Sequence, residues 1–262
     1  MKMKILKIVF VLLLFFCFFI QPNSANEITI FFYNPDAAPN DPTTLIKAAT
    51  DYFKKINQNI KVQPVIDVEV FVNLIKDKKA RVFIAPEGLI KTLGGDVKVI
   101  MSPENDKNTN AYNKLLLVKE NTAASVEELS GANIGTTSMG SESLSLLNEY
   151  LFSSANFDVN KSKVIWVKKD LDAVLATKFG QMKAAIISEK NWSKIESVNP
   201  AALKGVTILL KSKEIPEAPL AVASDLSQAE IDILVSAFSD MDKSPEGQAF
   251  LKILGYSKWL KK

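Results

Sequence analysis

Apolar positions follow two patterns along the chain: compact runs, and longer stretches in which they recur every three or four residues. Compact runs are typical of buried strands, and recurring positions are typical of helices with one buried face. The predicted strands are 28–32, 62–68, 81–85, 97–101, 115–118, 132–134, 164–167, 184–188, 206–210 and 219–223. Because helical stretches separate these runs, the pattern predicts an α/β protein with mostly parallel sheets and helices on both faces.

Capping residues and prolines indicate where several helices begin. A helical pattern runs from Leu45 to Ile56 with Asp41 as its expected N-cap, and Ser227 is the expected N-cap of a later helix. The other predicted helices cover 70–75, 126–129, 144–154, 171–177, 192–195, 228–241 and 245–254, with one more beginning at Pro86 and Glu87.

A polar stretch at 105–112 interrupts the alternation, which then starts afresh. Extended segments at 113–120 and 211–223 flank the second series, so the chain is expected to cross twice between two lobes. We predict a first lobe of residues 26–113 that is completed by 219–262, and a second lobe of residues 114–218. The chain is long enough for two lobes of about 100 residues each.

The first residues have the organisation of a secretory signal peptide. Lysines precede an apolar run, 8–20, that is shorter than the roughly 20 residues a spanning helix requires. We predict a leader of residues 1–25, cleaved after Ala25, and an exported, periplasmic mature protein. Asn23 is unfavourable for cleavage, so the alternative is an uncleaved leader that anchors the protein in the membrane.

Composition and charge exclude several functions. The chain has no histidine, and its one cysteine, Cys17, lies in the predicted leader. Serine triads, cysteine nucleophiles and common zinc sites need one or both residue types, so we expect no such catalysis, no metal site and no cofactor. The leader contains three lysines and no acid, so the 32 basic residues fall to 29 in the mature part, equal to the 29 acidic ones. No nucleic-acid partner is expected.

A Ser- and Thr-rich turn, 135–143, is the strongest candidate for a binding site. It lies between a predicted strand and a predicted helix. A helix start has unpaired N–H groups and a partial positive charge, which together with hydroxyls suit a small anion. The alternative is that Ser138 or Ser141 only caps the helix.

Ligands of open parallel sheets bind beyond the carboxyl ends of the strands, where loops meet helix starts. In a two-lobed protein those ends can face one cleft. The Ser- and Thr-rich turn then lines the wall of the second lobe, and Tyr33, Asn34 and Glu87 line the wall of the first.

Four segments resemble the phosphate, phosphite and phosphonate group of periplasmic substrate-binding proteins of ABC importers. Segment 125–135 (SVEELSGANIG) is similar to the family's approach to its anion loop, and 136–141 (TTSMGS) occupies the loop. Segment 214–222 (EIPEAPLAV) resembles the family's second crossing, and 242–255 (DKSPEGQAFLKILG) resembles its tail.

The resemblance implies a two-lobed type II periplasmic-binding fold with two hinge crossings, which closes on a small anionic ligand without catalysis. It also implies an ABC permease in the inner membrane as partner; we expect the protein to be a monomer. The ligand-binding residues implied for the loop are Thr136, Thr137, Ser138, Gly140 and Ser141, and Tyr112 resembles a cleft tyrosine of the family. The alternative for Tyr112 is a loop aromatic packed over a sheet edge.

The chain also departs from the family at three places, one of which is a displaced second glycine in the anion loop. Where Gly-x-x-Asp phrases are usual, it reads KKAR at 78–81 and GQMK at 180–183. Arg81 and Lys183 are expected to lie outside the cleft, because charged side chains prefer solvated surfaces. The alternative is that they add positive charge to the cleft for a more anionic ligand. A glutamate such as Glu87 or Glu189 inside the cleft disfavours a dianion and suits a ligand that bears an amine.

Two alternatives to a transport protein remain at the level of the sequence. The first is an enzyme on the same fold, such as a lyase or dehydratase, which requires an acid of perturbed pKa facing the anion loop. The second is a ligand-sensing protein without a transport role.

Overall fold

The computed structural model describes residues 27–36, 42–56 and 58–262. The predicted leader, Cys17 and the predicted N-cap Asp41 lie outside these residues. The strands are β1 (Ile28–Phe32), β2 (Ile60–Pro64), β3 (Val82–Ile84), β4 (Val97–Glu104), β5 (Ala111–Tyr112), β6 (Lys114–Lys119), β7 (Asn133–Thr137), β8 (Lys163–Val167), β9 (Ala184–Ser188), β10 (Val206–Lys211), β11 (Ile215–Pro216), β12 (Leu220–Ala223) and β13 (Lys258–Lys261).

Helices connect most of these strands. They are α1 (Pro42–Lys55), α2 (Val68–Lys76), α3 (Glu87–Thr92), α4 (Ser143–Leu147), α5 (Asp170–Lys178), α6 (Glu189–Val198), α7 (Pro200–Leu203), α8 (Gln228–Ser239) and α9 (Pro245–Leu254). Short 3₁₀ turns occur at Glu127–Leu129, Ser153–Ala155, Val159–Lys161 and Met241–Lys243, and a π turn occurs at Asn148–Phe152.

The strands form two large sheets and one small ladder. The first sheet has the order β13-β4-β12-β3-β1-β2, and the second has the order β10-β6-β9-β7-β8. The ladder pairs β5 with β11, and these two strands lie on the two segments that connect the sheets. The described chain is therefore two-lobed, with two crossings that are hydrogen-bonded to each other.

Both sheets are mixed, although strand direction is mostly uniform. Strands β1, β2 and β3 run parallel, as do β7, β8 and β9. Strand β12 runs antiparallel to β3 and β4, and β6 runs antiparallel to β9 and β10. Both β6 and β12 enter their sheet directly from a crossing, so they run in the opposite direction to the strands beside them.

Each sheet is buried on both faces, as expected for sheets covered by helices. Alternate residues of β1 pack on opposite sides, with Ile30 and Phe32 in one apolar cluster and Phe31 and Tyr33 in the other. The second sheet is built in the same way. The period-2 alternation of strand side chains thus places Tyr33 beside Phe71, with ring centroids 5.3 Å apart.

Several predicted elements are wrong in their extent, and two of them show why. The second strand ends at Pro64 rather than residue 68, because Asp67 caps α2 by accepting from the amides of Glu69 and Val70. The predicted helix 144–154 is α-helical only over Ser143–Leu147 and continues as the π turn and a 3₁₀ turn. Ser227 is confirmed as an N-cap, and it forms a capping box with Glu230.

Candidate functional site

The carboxyl ends of strands from both lobes meet at one place. Strand β1 of the first sheet leads into the turn that contains Asp36, and β7 of the second sheet ends at Thr137. Strand β6 runs antiparallel to β9, so its first residue, Lys114, pairs with the last residue of β9, Ser188. Topology and register therefore bring these four polar residues to the edge where the two sheets face each other.

The Asp36 carboxylate lies at the centre of this meeting point. Oδ1 accepts from Lys114 Nζ at 2.7 Å, and Oδ2 accepts from Tyr112 Oη at 2.5 Å. Thr137 Oγ1 is 3.4 Å from Oδ1, and Ser188 Oγ donates to the Asp36 carbonyl at 3.0 Å. One carboxylate of the first lobe is thus held by donors of the crossing strand and of the second lobe.

Burial makes these interactions strong. The Lys114 side chain is 0% exposed and that of Asp36 is 3% exposed. Charge-assisted hydrogen bonds to a carboxylate are roughly twice as strong as neutral ones, and a low local dielectric strengthens them further. Burial, followed by the charge of Asp36, also raises the pKa of the Tyr112 phenol well above its usual range, so Tyr112 is a donor at neutral pH.

A second carboxylate, Asp170, lies behind Thr137. It accepts from the amide of Ser188 at 3.0 Å and from Asn191 Nδ2 at 2.9 Å, and its Oδ1 is 3.3 Å from Thr137 Oγ1. Burial raises the pKa of Asp170 to about 6, with Lys114 opposing the rise and Asp36 adding to it. The single hydroxyl proton of Thr137 can serve only one of the two carboxylates, which also favours a proton on Asp170.

The Ser- and Thr-rich turn is held together by its own side chains. Ser143 Oγ accepts from the amide of Met139 at 2.7 Å and donates to the carbonyl of Gly140 at 2.5 Å. Ser138 Oγ accepts from the amide of Gly140 at 3.2 Å. The N-cap of α4 is Glu142, so within the described residues the interpretation of Ser138 or Ser141 as the cap is wrong.

Gly140 is required where this turn touches the first lobe. Its φ is 110°, and a Cβ there would lie 2.7 Å from Leu89 Cδ1 of α3. A second glycine makes the reciprocal contact, since a Cβ on Gly88 would lie 2.4 Å from Leu146 Cδ1. The two lobes thus approach closely on this side of the cleft.

The other residues predicted for the site have separate positions. Tyr33 crosses the cleft and donates from Oη to the Ser138 carbonyl at 2.6 Å. Asn34 holds the Asp36 turn by accepting from the Asp36 amide at 3.2 Å. Thr136 lies in the sheet, with its Oγ1 donating to the Ile186 carbonyl at 3.0 Å.

Glu87 and Ser141 lie away from the Asp36 carboxylate. Glu87 lines a cavity between α3 and α4 and pairs with Lys91 at 3.3 Å. Ser141 is exposed at the start of the helical segment. The structure thus brings Tyr33, Asn34, Tyr112 and Thr137 around the Asp36 turn and leaves the other predicted residues outside that group.

Two cavities border the meeting point. One, of about 470 Å³, lies between α3 and α4, and the other, of about 880 Å³, lies beside α6 and the polar loop after β4. Tyr112 lines both cavities, and Asp36 and Asn191 line the second. The second cavity is lined by five lysines and four acids, whereas the first has three glutamates and one lysine. An anion is therefore favoured in the second.

Sequence reasoning missed Asp36, Lys114 and Asp170 as parts of the site. Lys114 carried a signal, since it opens an otherwise apolar strand and a buried lysine needs a partner. Asp36 follows Tyr33 and Asn34 in the same turn, so the strand-end rule that selected those two residues also applies to it. Asp170 carried no comparable signal, because an aspartate at a helix start is common.

Arg81 and Lys183, the basic residues at positions where the family usually has aspartate, lie outside the polar cluster, as expected. Arg81 precedes β3 and donates to the carbonyl of Asp225 at 3.1 Å. Lys183 precedes β9 and donates to the carbonyl of Thr122. Both are at the amino ends of strands whose carboxyl ends face the cleft.

Two sheets, two paired crossings and a polar cluster between the lobes define a solute-binding protein with the type II periplasmic-binding fold. The chain belongs to the phosphonate periplasmic substrate-binding protein family of ABC transporters, whose pattern it matches over residues 31–261. The resemblance drawn from the four sequence segments is thereby confirmed. A search of curated proteins gave no match.

Solved structures share this fold. The binding protein component of an ABC phosphonate transporter from Pseudomonas aeruginosa matches with a TM-score of 0.73 and 15% identity, over 90% of this chain and 81% of that one. PhnD1 from Prochlorococcus marinus, in complex with methylphosphonate, has a TM-score of 0.72 and 15% identity, over 90% and 92%. The periplasmic aliphatic sulphonate-binding protein SsuA from Escherichia coli has a TM-score of 0.54 and 17% identity, over 87% and 79%.

The described residues contain neither a candidate membrane span nor a cluster of potential metal ligands. Across them, every helix is too short or too polar to cross a bilayer. They bring together no group of three or more side chains of the types that hold metal ions.

Proposed function

We propose that the protein captures a small solute with an anionic head group of the phosphonate type in the interlobe cleft, for delivery to an ABC permease. One observation carries this proposal: Tyr112, Lys114 and Thr137 converge on a carboxylate at the centre of the cleft. A donor set that holds one carboxylate suits the acid group of a free ligand. The methylphosphonate in one structural relative supports the same chemistry.

The donors have different roles in this proposal. Lys114 supplies the positive charge, Tyr112 supplies a neutral donor from the crossing strand, and Thr137 supplies a hydroxyl from the second lobe. Tyr33, whose Oη reaches the turn after Thr137, links closure of the lobes to the occupied site. Contacts from both lobes stabilise the closed form more than the open form, so binding favours closure.

A thermal-shift screen tests the proposal. The mature protein is mixed with methylphosphonate, phosphate, phosphite, sulfate, small carboxylates and amino acids. A ligand at about 100 times its dissociation constant raises the free energy of unfolding by roughly 2.7 kcal/mol. We expect a phosphonate or a related acid to give such a shift. A shift with amino acids alone would contradict the anionic head group.

Two neighbouring threonines provide a matched pair for the site. Thr137→Val removes the hydroxyl near Asp36 and is expected to weaken the best anion of the screen about tenfold, which is about 1.4 kcal/mol. Thr136→Val removes a hydroxyl that bonds within the sheet, so we expect lower stability with unchanged affinity. Calorimetric titration measures the anion affinity of both variants. Equal affinities for Thr137→Val and Thr136→Val would contradict a role of Thr137 in binding.

We propose a non-catalytic role, although Asp170 is the kind of acid that the enzyme alternative requires. Its pKa is raised to about 6, and it lies near the predicted anion loop. Its oxygens, however, are engaged by Ser188, Asn191 and Thr137, which leaves them poorly placed for proton transfer to a substrate. A ligand recovered unchanged by NMR after prolonged incubation is the expected result; product formation would favour the enzyme.

We propose that the leader 1–25 directs export to the periplasm, and that the mature protein is a monomer without nucleic-acid partners. We keep the lobe boundaries at residues 26–113 with 219–262, and at 114–218. Size-exclusion chromatography with light scattering tests the monomer directly.

A further inference from the structure

The donor cluster of the cleft is filled by the protein itself. The Asp36 carboxylate accepts from Lys114 and Tyr112 and lies within 3.4 Å of the Thr137 hydroxyl. Both charged partners are almost completely buried. A free anion that uses the same three donors therefore meets a site whose positions are already taken by a negative group.

Asp36 is attached in a way that permits its replacement. It lies in the turn after β1, outside the ladder of the sheet. Among the described residues, its backbone amide donates to Asn34 Oδ1 at 3.2 Å, and its carbonyl accepts from Ser188 Oγ at 3.0 Å. The cavity of about 880 Å³ borders Asp36, so a ligand entering there reaches this residue directly.

We propose that Asp36 is a tethered competitor for the oxyanion site and thereby determines which anions bind. The inference rests on the proposed function, because it assigns the acid group of the solute to the position of the Asp36 carboxylate. A solute binds by displacing this carboxylate from Lys114, Tyr112 and Thr137. The observed affinity is then the intrinsic affinity reduced by the free energy needed to displace Asp36.

Charge gives this exchange its selectivity. Replacing Asp36 by a monoanion leaves the number of charges beside Lys114 unchanged, whereas a dianion adds one more negative charge near Asp170. Negative charges that lie close together repel each other strongly in a buried site, because the local dielectric constant is low. The wild-type cleft therefore prefers monoanions, such as a carboxylate, a sulfonate or a phosphonate monoester, to phosphate or sulfate dianions.

Asp36→Ala tests the occupancy, with formate as the probe because it reproduces the lost carboxylate. We expect formate and methylphosphonate to raise the melting temperature of Asp36→Ala with an apparent Kd at least tenfold lower than in the wild type. Asp36→Asn keeps a group of the same shape in the site, so its affinity for formate and methylphosphonate should increase less than that of Asp36→Ala. Equal anion responses of Asp36→Ala and the wild type, or equal gains in Asp36→Ala and Asp36→Asn, would overturn the proposal.

Two further variants control for folding and for net charge. Asp36→Ala/Lys114→Met removes both buried charges, so it should fold without added anions and respond to none. Glu217→Ala removes another ion-paired carboxylate, 2.6 Å from Lys190 and 1% exposed, and it should not gain formate binding. An anion response of the double variant, or a gain in Glu217→Ala equal to that of Asp36→Ala, would contradict the assignment.

The outcomes separate this inference from the proposed function. If the wild type binds an anion tightly and Asp36→Ala does not, the proposed function is supported and the role of Asp36 as a competitor is contradicted. Formate binding by Asp36→Ala without any solute for the wild type would support the competitor and contradict the proposed function. Absence of binding in every variant would overturn both.

Discussion

A single hydroxyl stands between two carboxylates in the centre of the cleft. Thr137 Oγ1 is 3.4 Å from Asp36 and 3.3 Å from Asp170, and Lys114 is the buried cation beside them. Burial is the largest cause of the raised pKa of Asp170, about 6, because it disfavours the charged carboxylate. The charge of Lys114 opposes the rise, and the charge of Asp36 adds to it.

Asp170→Asn should change how stability depends on pH. The pKa of Asp170 is about 6 in the folded protein against an ordinary value of 3.8, so between those values the folded state binds a proton that the unfolded state lacks. The contribution of Asp170 to wild-type stability should therefore fall by up to about 3 kcal/mol as pH rises from about 4 to about 6, and then level off. Asp170→Asn lacks this fall. Urea unfolding at several pH values measures it.

An exposed aspartate of the same helix provides the control. Asp172→Asn makes the same chemical change at an exposed position, so it should retain the wild-type fall between pH 4 and 6. Parallel curves for Asp170→Asn and the wild type would contradict the assigned pKa.

At the scale of elements, the turn between β7 and α4 holds the two lobes together. Its glycine, Gly140, has a positive φ and contacts Leu89 of α3 in the other lobe. The helical segment after it changes from α to π geometry at Asn148, after one α-helical stretch of five residues. The turn therefore depends on its own side chains and on α3 more than on a long helix.

Three glycine-to-alanine variants separate the contributions of backbone and contact. Gly95→Ala has open space and an ordinary φ, so it should be neutral or slightly stabilising. Gly131→Ala has open space with a φ of 74°, so only backbone strain of about 1–2 kcal/mol is expected. Gly140→Ala adds the clash with Leu89 and should lose the most stability. Chemical denaturation measures the free energy of unfolding of each variant. Equal losses for Gly131→Ala and Gly140→Ala would contradict a contribution of the interlobe contact to stability.

The sequence was informative about elements and less so about their ends. Strands were predictable because apolar runs such as that of β6 are buried on both faces, and Ser227 was predictable as a cap because its spacing to Glu230 is local. The break of the helix at Asn148 was not predictable, since apolar spacing is similar for α and π turns. The direction of a strand within its sheet also depends on where a crossing segment enters the sheet. The periodicity of apolar residues does not indicate this.

At the scale of the whole molecule, the lobes are linked by two crossings and by contacts across the cleft. Tyr33 Oη donates to the Ser138 carbonyl, which joins the end of β1 to the turn after β7. Asp36 joins the same two lobes through Lys114 and Thr137. The two lobes are therefore held together across the cleft by contacts of their own side chains.

Tyr33→Phe should open the molecule. The variant leaves the partly buried Ser138 carbonyl without this donor, which costs about 1–2 kcal/mol and shifts the closed population roughly 5–30-fold. Small-angle scattering should then show a larger radius of gyration. Tyr52→Phe is the matched control, because the Tyr52 hydroxyl donates to the Ala237 carbonyl within the first lobe. It should lower stability and leave the radius unchanged; equal radii for all three proteins would contradict the role of Tyr33.

The sequence predicted part of the polar cluster that the structure places between the lobes. The strand-end rule led to Tyr33, Asn34 and Thr137, since it needs only local patterns. The Asp36–Lys114 pair depends on how the two lobes are placed against each other, which no local pattern specifies. The family resemblance pointed to hydroxyls of the loop, whereas the charged centre of the candidate site comes from the first-lobe turn and from β6 of the second sheet.

A crystal structure with methylphosphonate tests the central claim most directly, since it locates the acid group of a bound solute. We expect its oxygens within hydrogen-bonding distance of Lys114 Nζ, Tyr112 Oη and Thr137 Oγ1, with the Asp36 carboxylate moved away from these donors. Methylphosphonate bound in the cavity between α3 and α4, with Asp36 still paired to Lys114, would contradict the account.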